Sequence, residues 1–260
     1  MRAAVAATHN MLSAAAKSPG VKRVVITSSV TASMEMKEFE SGKFSKEFKR
    51  MRVHSNSKLL LISILADDTL KHYDLEAPFP YPFAAYVASK ALTLADAEKF
   101  VVNEKPRFDI VHILPTLILG ENPLAKTVTE LNTNSNGPIL NMLLGNPSFP
   151  VLASCVHVDD VAKLHLLALN PRIPGGRYLA TAEDPTGGVT DAFAIVKKYF
   201  PEAAQKVFVA KPRADFVSMP MKVHTSKTVE AFEFEFQGYE EQVKSLVGNY
   251  LSLLSNEWTN

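Results

Sequence analysis

The sequence predicts an α/β fold with parallel strands, and three features carry that prediction. Val24, Val25 and Ile26 stand in a row with no polar alternation, as a strand covered on both faces requires. A second apolar run, Phe108-Asp109-Ile110-Val111-His112-Ile113-Leu114-Pro115, reads the same way. Between them lies a helical stretch that opens at Tyr86-Val-Ala-Ser-Lys90 and continues through Ala91, Leu92, Leu94, Ala95 and Phe100. Strand, connection with helix and strand again make a βαβ crossover, which sets the strands parallel and turns both exits to one edge.

In chain order, residues 2–17 read as a helix with Val5, Thr8, Leu12 and Ala15 on one stripe, stopped by Ser18-Pro19-Gly20. Val21 to Ser29 then reads as a central strand ending in Thr27, Ser28 and Ser29. Ligands of open α/β sheets bind at the carboxyl ends of strands, although the same hydroxyls also suit the cap of a following turn. From Ser33 to Pro82 periodicity lapses: residues 34–58 are charged, 59–66 apolar, and 67–82 carry Asp67, Asp68, Asp74 and prolines. An irregular excursion holding one helix is expected there. Lys105-Pro106 ends the Tyr86 helix, and the strand after it should leave through a loop from Pro115 to Gly120. Residues 121–150 read as loops with a short helix around Ile139 to Leu144. Val156-His157-Val158 is a short strand, and Asp159-Asp160 should cap a helix with Val161, Leu164, Leu167 and Ala168 on its apolar side. A strand from Gly176 to Thr181, a helix from Thr190 to Tyr199 and a proline-bearing loop to Pro220 follow. The final helix shows a core stripe of Val243, Leu246, Val247, Tyr250, Leu251 and Leu254.

Composition narrows the function. With 28 basic and 27 acidic residues the net charge is +1, which indicates no polyelectrolyte partner. Lys43, Lys46, Lys49, Arg50, Arg52 and Lys58 are interleaved with Glu38, Glu40 and Glu47 and read as a solvated surface, not a nucleic-acid site. The single cysteine, Cys155, excludes an internal disulfide; it reads as a buried structural thiol and fits a reducing, cytoplasmic setting. The longest apolar run, Leu59 to Ala66, is far short of the ~20 residues that span a bilayer. The first 34 residues lack acids, as a transit peptide would, but their helical stripe leads straight into a strand. His157 and His165 read as core residues, and no metal-ligand spacing or G-x-S-x-G elbow occurs.

Tyr86 and Lys90 are four residues apart, so on a helix they stand one turn apart on one face. An ammonium there stabilises the phenolate and draws the phenol pKa from about 10 towards neutrality, suiting Tyr86 to exchange a proton with an alcohol or carbonyl oxygen. The same spacing also fits an ordinary amphipathic helix with a half-buried tyrosine and a solvated lysine.

These residues resemble the extended short-chain dehydrogenase/reductases, the NAD-dependent epimerase/dehydratase group, and within it the dihydroflavonol reductase-like carbonyl reductases. Val5-Ala-Ala-Thr8-His-Asn10-Met-Leu12 is similar to the family helix V-x-G-T-x-N-V-L, with Ala7 in the glycine place. Val21 to Ser29 resembles the strand that delivers the family's serine, and Tyr86-Val-Ala-Ser-Lys90 matches Y-x-x-S-K. Ile113-Leu-Pro-Thr-Leu-Ile-Leu-Gly120, Val156-His-Val-Asp-Asp-Val-Ala162 and Lys222-Val-His-Thr-Ser-Lys227 resemble later motifs in the family order. The resemblance implies reduction of a small ketone or aldehyde by NADP or NAD, with Tyr86 as proton donor. Lys90 would lower its pKa and hold the nicotinamide ribose, and Ser29 would bond the same oxygen. Thr27, Ser28, Lys90, Pro115, Thr116 and Leu117 would line the nicotinamide half of the cofactor.

Two departures qualify the resemblance. None of the 11 glycines forms G-x-x-G-x-x-G or G-x-G-x-x-G. Ser29 and Tyr86 also stand further apart than in the family, and Leu94 and Glu98 stand where relatives often carry Glu and an aromatic. The implied fold is an incomplete NAD(P)-binding Rossmann fold that lacks its first strands and glycine-rich fingerprint, with a small C-terminal substrate-binding region. Residues 1–120 would form the partial Rossmann core, 121–155 substrate-side loops, 156–182 the Rossmann continuation and 183–260 the C-terminal region. Two other functions stay open: a chain without turnover that acts as a binding protein, and sugar-nucleotide epimerase or dehydratase chemistry.

Overall fold

The computed structural model describes residues 1–33, 62–67, 70, 73–74, 79, 81–146, 151–182, 188–214, 216, 218–219 and 221–259. The basic stretch of residues 43–58 and most of the expected excursion lie outside the described residues. Helix α1 (Arg2–Lys17) leads to β1 (Arg23–Thr27), a 3-10 turn (Val30–Ser33), β2 (Ile62–Ile64), α2 (Pro82–Glu104), β3 (Asp109–Pro115) and β4 (Leu117–Leu119). Then come α3 (Val128–Leu131), α4 (Gly137–Leu143), β5 (Val151–Leu152), β6 (Cys155–His157), α5 (Val158–Leu167) and β7 (Gly176–Ala180). A second 3-10 turn (Gly188–Asp191), α6 (Ala192–Tyr199), α7 (Pro201–Lys206), β8 (Ser218–Met219), β9 (Met221–Val223), α8 (Ser226–Phe232) and α9 (Tyr239–Thr259) complete the order. The chain divides into two compact units: Met1–Leu114 with Leu164–Ala180 and His224–Phe234, and Pro115–Lys163 with Thr181–Val223 and Glu235–Asn260.

In the first unit β1, β3 and β7 form a sheet in that order. β1 and β3 are parallel, in register from Arg23 opposite Asp109 to Thr27 opposite Ile113, as the crossover predicts. β1 was expected to be central; among the described residues its one neighbour is β3, and Val24, Val25 and Ile26 are only half-buried. Leu12 of α1 packs with Ala97 and Phe100 of α2 and with Phe108 and Ile110, closing one face of the sheet. Arg23 ties the unit together. Its Nε donates to Asp109 at 2.8 Å, and its terminal nitrogens reach the carbonyls of Ala168 (2.7 Å), Asn170 (2.6 Å) and Ile173 (2.7 Å) beyond the end of α5. On β7, Tyr178 donates to the Pro174 carbonyl at 2.8 Å and meets Phe232 of α8 edge to face at 4.9 Å.

The second unit is built on α9, whose Val243, Leu246, Val247, Tyr250 and Leu253 are buried, with Leu251 and Leu254 half-buried beside them. β4 pairs with β6, and β5 with β8, each in parallel. The expected loop from Pro115 to Gly120 therefore contains a strand. Gly120 closes it at φ 138°, a conformation L side chains avoid, and an added Cβ would come within 2.9 Å of Val158. Cys155 is buried in this core, as expected. The expected helix at 139–144 is α4, one turn of α3 precedes it, and α7 stands inside the proline-bearing loop with Pro201 at its start. Asp159 and Asp160 lie inside the first turn of α5 instead of ahead of it. The Asp160 carboxylate accepts from the Gln237 backbone N–H at 2.8 Å and its side-chain amide at 3.0 Å, so it anchors the approach to α9.

Candidate active site

Helix α2 positions the Tyr86 and Lys90 side chains. Tyr81 enters it extended, Pro82 occupies its first turn, and Lys105 ends it in the left-handed conformation at φ 45° with its N–H on the Val101 carbonyl, followed by Pro106, which cannot continue a helix. Ala84, Ala88 and Ala91 are buried with Val87 and Leu94, and these small side chains let the 3-10 turn after β1 pack closely against the helix. Tyr86 stands clear of that face at 42% exposure, its ring stacked on Phe83 at 6.0 Å between centroids. Lys90 places Nζ 5.8 Å from the Tyr86 ring centroid. The two side chains share one face of the helix, with the ammonium over the ring.

Lys90 also borders a cleft of about 150 Å³ that receives Thr8 of α1, Thr27 and Ser28 at the end of β1, Ser89 and Thr93 of α2, and His112 of β3. Burial lowers the Lys90 pKa below the usual lysine range. Several hydroxyls around it are already engaged. Ser89 donates to the Tyr86 carbonyl at 2.8 Å, Thr93 donates to the Ser89 carbonyl at 2.9 Å, and Thr27 Oγ1 lies 2.7 Å from His165 Nε2. His165, expected in the core, is half-buried. Among the described residues no hydrogen bond or ion pair fixes the Lys90 ammonium.

The cleft thus gathers Thr27, Ser28 and Lys90. Ser28 is held there by its backbone N–H, which donates to the Ile113 carbonyl at 2.8 Å. Ser29 is buried and turned to its own segment: Oγ accepts from Thr31 Oγ1 at 2.9 Å and from the Thr31 N–H at 3.3 Å. A hydroxyl that accepts twice keeps its own hydrogen to give, and is polarised towards giving it. Pro115 ends β3, Leu117 opens β4 with its N–H on the Ser154 carbonyl at 3.2 Å, and Thr116 donates to Thr181 at 3.0 Å in the second unit. His112 and Thr93 were not singled out from the sequence, and Thr8 and Ser89 only as parts of the family-like motifs. The signal for His112 was there, as an imidazole inside a long apolar strand.

Glu98, noted as a departure from the family, meets Arg177 of β7 through two hydrogen bonds of 2.6 and 2.7 Å. Among the described residues no cluster of His, Cys, Asp or Glu could hold a metal, and no helix is long and apolar enough to cross a membrane. His157 donates no metal site either: its Nδ1 accepts from the Asp159 N–H at 3.1 Å.

No family model matches the chain. A ketoreductase of Cercospora beticola is 32% identical over 258 residues, covering 97% of this chain and 67% of its own length. An NAD-dependent epimerase/dehydratase of Gibberella moniliformis is 31% identical over 177 residues, covering 64% of this chain and 44% of its own. Among solved structures, the yeast methylglyoxal/isovaleraldehyde reductase complexed with NADPH superposes with a TM-score of 0.74 at 20% identity, covering 97% of this chain and 70% of that one. That likeness carries the fold. The sequence relationship, which runs through the serine strand, the Y-x-x-S-K helix and the second unit alike, carries the family: the chain belongs to the extended short-chain dehydrogenase/reductases, in the NAD-dependent epimerase/dehydratase group of carbonyl reductases.

Proposed function

We propose that the chain carries the nicotinamide and carbonyl side of an NAD(P)H-dependent reductase of a small ketone or aldehyde, with NADP or NAD as cofactor. The observation that supports this most is the cleft in which Lys90, desolvated and one helical turn from Tyr86, faces the hydroxyl-rich end of β1. The residues present suit the nicotinamide ribose: an ammonium donor without a partner among the described residues, flanked by hydroxyls. When bound, reduced nicotinamide supplies the hydride that the carbonyl carbon receives. Tyr86 gives its phenolic proton to the carbonyl oxygen, Lys90 stabilises the phenolate left behind, and Ser29 donates its free hydrogen to the same oxygen. Thr27 and Ser28 border the Lys90 cleft; the family resemblance, not a contact, assigns Pro115, Thr116 and Leu117 to the nicotinamide side and residues 121–155 and 183–260 to the substrate side.

The test is carbonyl-dependent NADPH oxidation by the chain and by Tyr86→Phe. Loss of the proton donor should lower turnover about 10²-fold or more. Turnover by Tyr86→Phe equal to that of the unaltered chain contradicts the assignment. A second reading, binding without turnover, is favoured by the sequence, in which no G-x-x-G-x-x-G or G-x-G-x-x-G fingerprint occurs, the turn that in dinucleotide-binding folds offers a helix N-terminus to the pyrophosphate. Cofactor binding with no oxidation in either protein supports that reading over the first.

A further inference from the structure

His112 sits at the middle of β3, opposite Ile26 of β1, with 3% of its surface exposed. It borders the Lys90 cleft, and its Nδ1 is buried without a hydrogen-bond partner among the described residues. Leaving a buried nitrogen unpaired carries a desolvation cost, so a native position of this kind points to a donor that the described protein atoms do not supply. None of the hydroxyls on the cleft bonds Nδ1. Ser89 and Thr93 donate to helix carbonyls, and Thr27 lies against His165. Lys90 is a donor-only group with open valences on the same cleft. A polar cavity of about 150 Å³ has room for several waters at about 30 Å³ each.

We propose that His112 is a positioning residue for Lys90: its neutral imidazole accepts at Nδ1 from water in the cleft, and that water accepts in turn from the Lys90 ammonium. This rests on the reading of Lys90 as part of the nicotinamide site. The chain of hydrogen bonds holds the ammonium at a fixed place between the Tyr86 ring and the cleft, and favours its charged form against the desolvation around it. The groups around His112 are consistent with a neutral ring. Lys90 and Glu98 come from α2 and Arg177 from β7, the last two paired with each other, while α1 and β1 present Thr8, Ile26 and Thr27. A second positive charge at His112 would oppose Lys90. The arrangement therefore works only with imidazole as an acceptor.

Two measurements on the full chain decide it. Nitrogen NMR of the histidines at neutral pH should show His112 as the tautomer with hydrogen on Nε2; hydrogen on Nδ1 overturns the proposal. The pH dependence of Lys90 labelling by an amine reagent, read by peptide mass mapping, should move in His112→Leu. The midpoint should fall by about half a unit or more, a roughly threefold gain of free amine at fixed pH. His112→Asn, which keeps an acceptor in nearly the same place, should restore the original midpoint. An unmoved midpoint in His112→Leu also overturns the proposal. The underlying reading is tested separately: NADPH should slow labelling of Lys90 in the unaltered chain, and its failure to do so strikes the nicotinamide site while leaving the His112 measurements to be judged alone.

Discussion

At the scale of single residues, His112 makes the fold sensitive to acid. Burial holds its pKa down to about 4 against an ordinary value of 6.5, with Glu98 pulling it up and Arg177 pushing it down by smaller amounts. Between those two pH values the unfolded chain binds a proton at this position and the folded chain does not. Stability is therefore unaffected above pH 6.5 and falls as pH drops from 6.5 towards 4, by up to about 3 kcal/mol. Urea denaturation at neutral pH and near pH 4.5 should show this loss in the unaltered chain and much less of it in His112→Leu. An equal loss in both proteins would assign the acid sensitivity elsewhere. The Tyr86 and Lys90 pair was legible in the sequence because helical geometry fixes which residues share a face. His112 was legible only as part of a strand: its role depends on helices α1 and α2 meeting over β3, and no local pattern encodes that meeting.

At the scale of elements, the clasp made by Arg23 is the connection most exposed to a single substitution. Its side chain is 10% exposed and its fork serves Asp109 and three carbonyls past the end of α5, a geometry that a lysine cannot reproduce. Arg23→Lys should cost about 2–3 kcal/mol of stability, as the Ala168, Asn170 and Ile173 carbonyls and the Asp109 carboxylate lose donors that one ammonium cannot replace together. A thermal or urea midpoint equal to that of the unaltered chain would show that the clasp contributes nothing. The long elements were legible in sequence: α1, β1, α2, β3 and α9 follow from their apolar period and from Pro19, Pro106 and the glycines that bound them. The short ones were not. β4 has three residues and exists through its pairing with β6, from Leu117 opposite Cys155 to Leu119 opposite His157, a partner far away in the chain. Asp160 looked like a cap from its place before an apolar run, yet its partner is Gln237, still further along the chain.

At the scale of the whole molecule, the chain is interleaved. The first unit takes back Leu164–Ala180 and then His224–Phe234, the latter held by the Thr228 hydroxyl on the Leu179 carbonyl at 2.7 Å and by Phe232 against Tyr178. The class of fold was legible from two apolar strands and a helix between them, since a βαβ crossover leaves few arrangements open. The route of the later segments was not, because it is set by contacts between distant residues. The proposed function places a nicotinamide ribose against Lys90 and assigns no residue of the sequence to a glycine-rich pyrophosphate turn. Saturation-transfer NMR of NADPH with the chain and with Lys90→Met tests that claim most directly. Transfer should be stronger to the nicotinamide and its ribose than to the adenine, and should fall away in Lys90→Met. Transfer dominated by the adenine, or unchanged by the substitution, would contradict it.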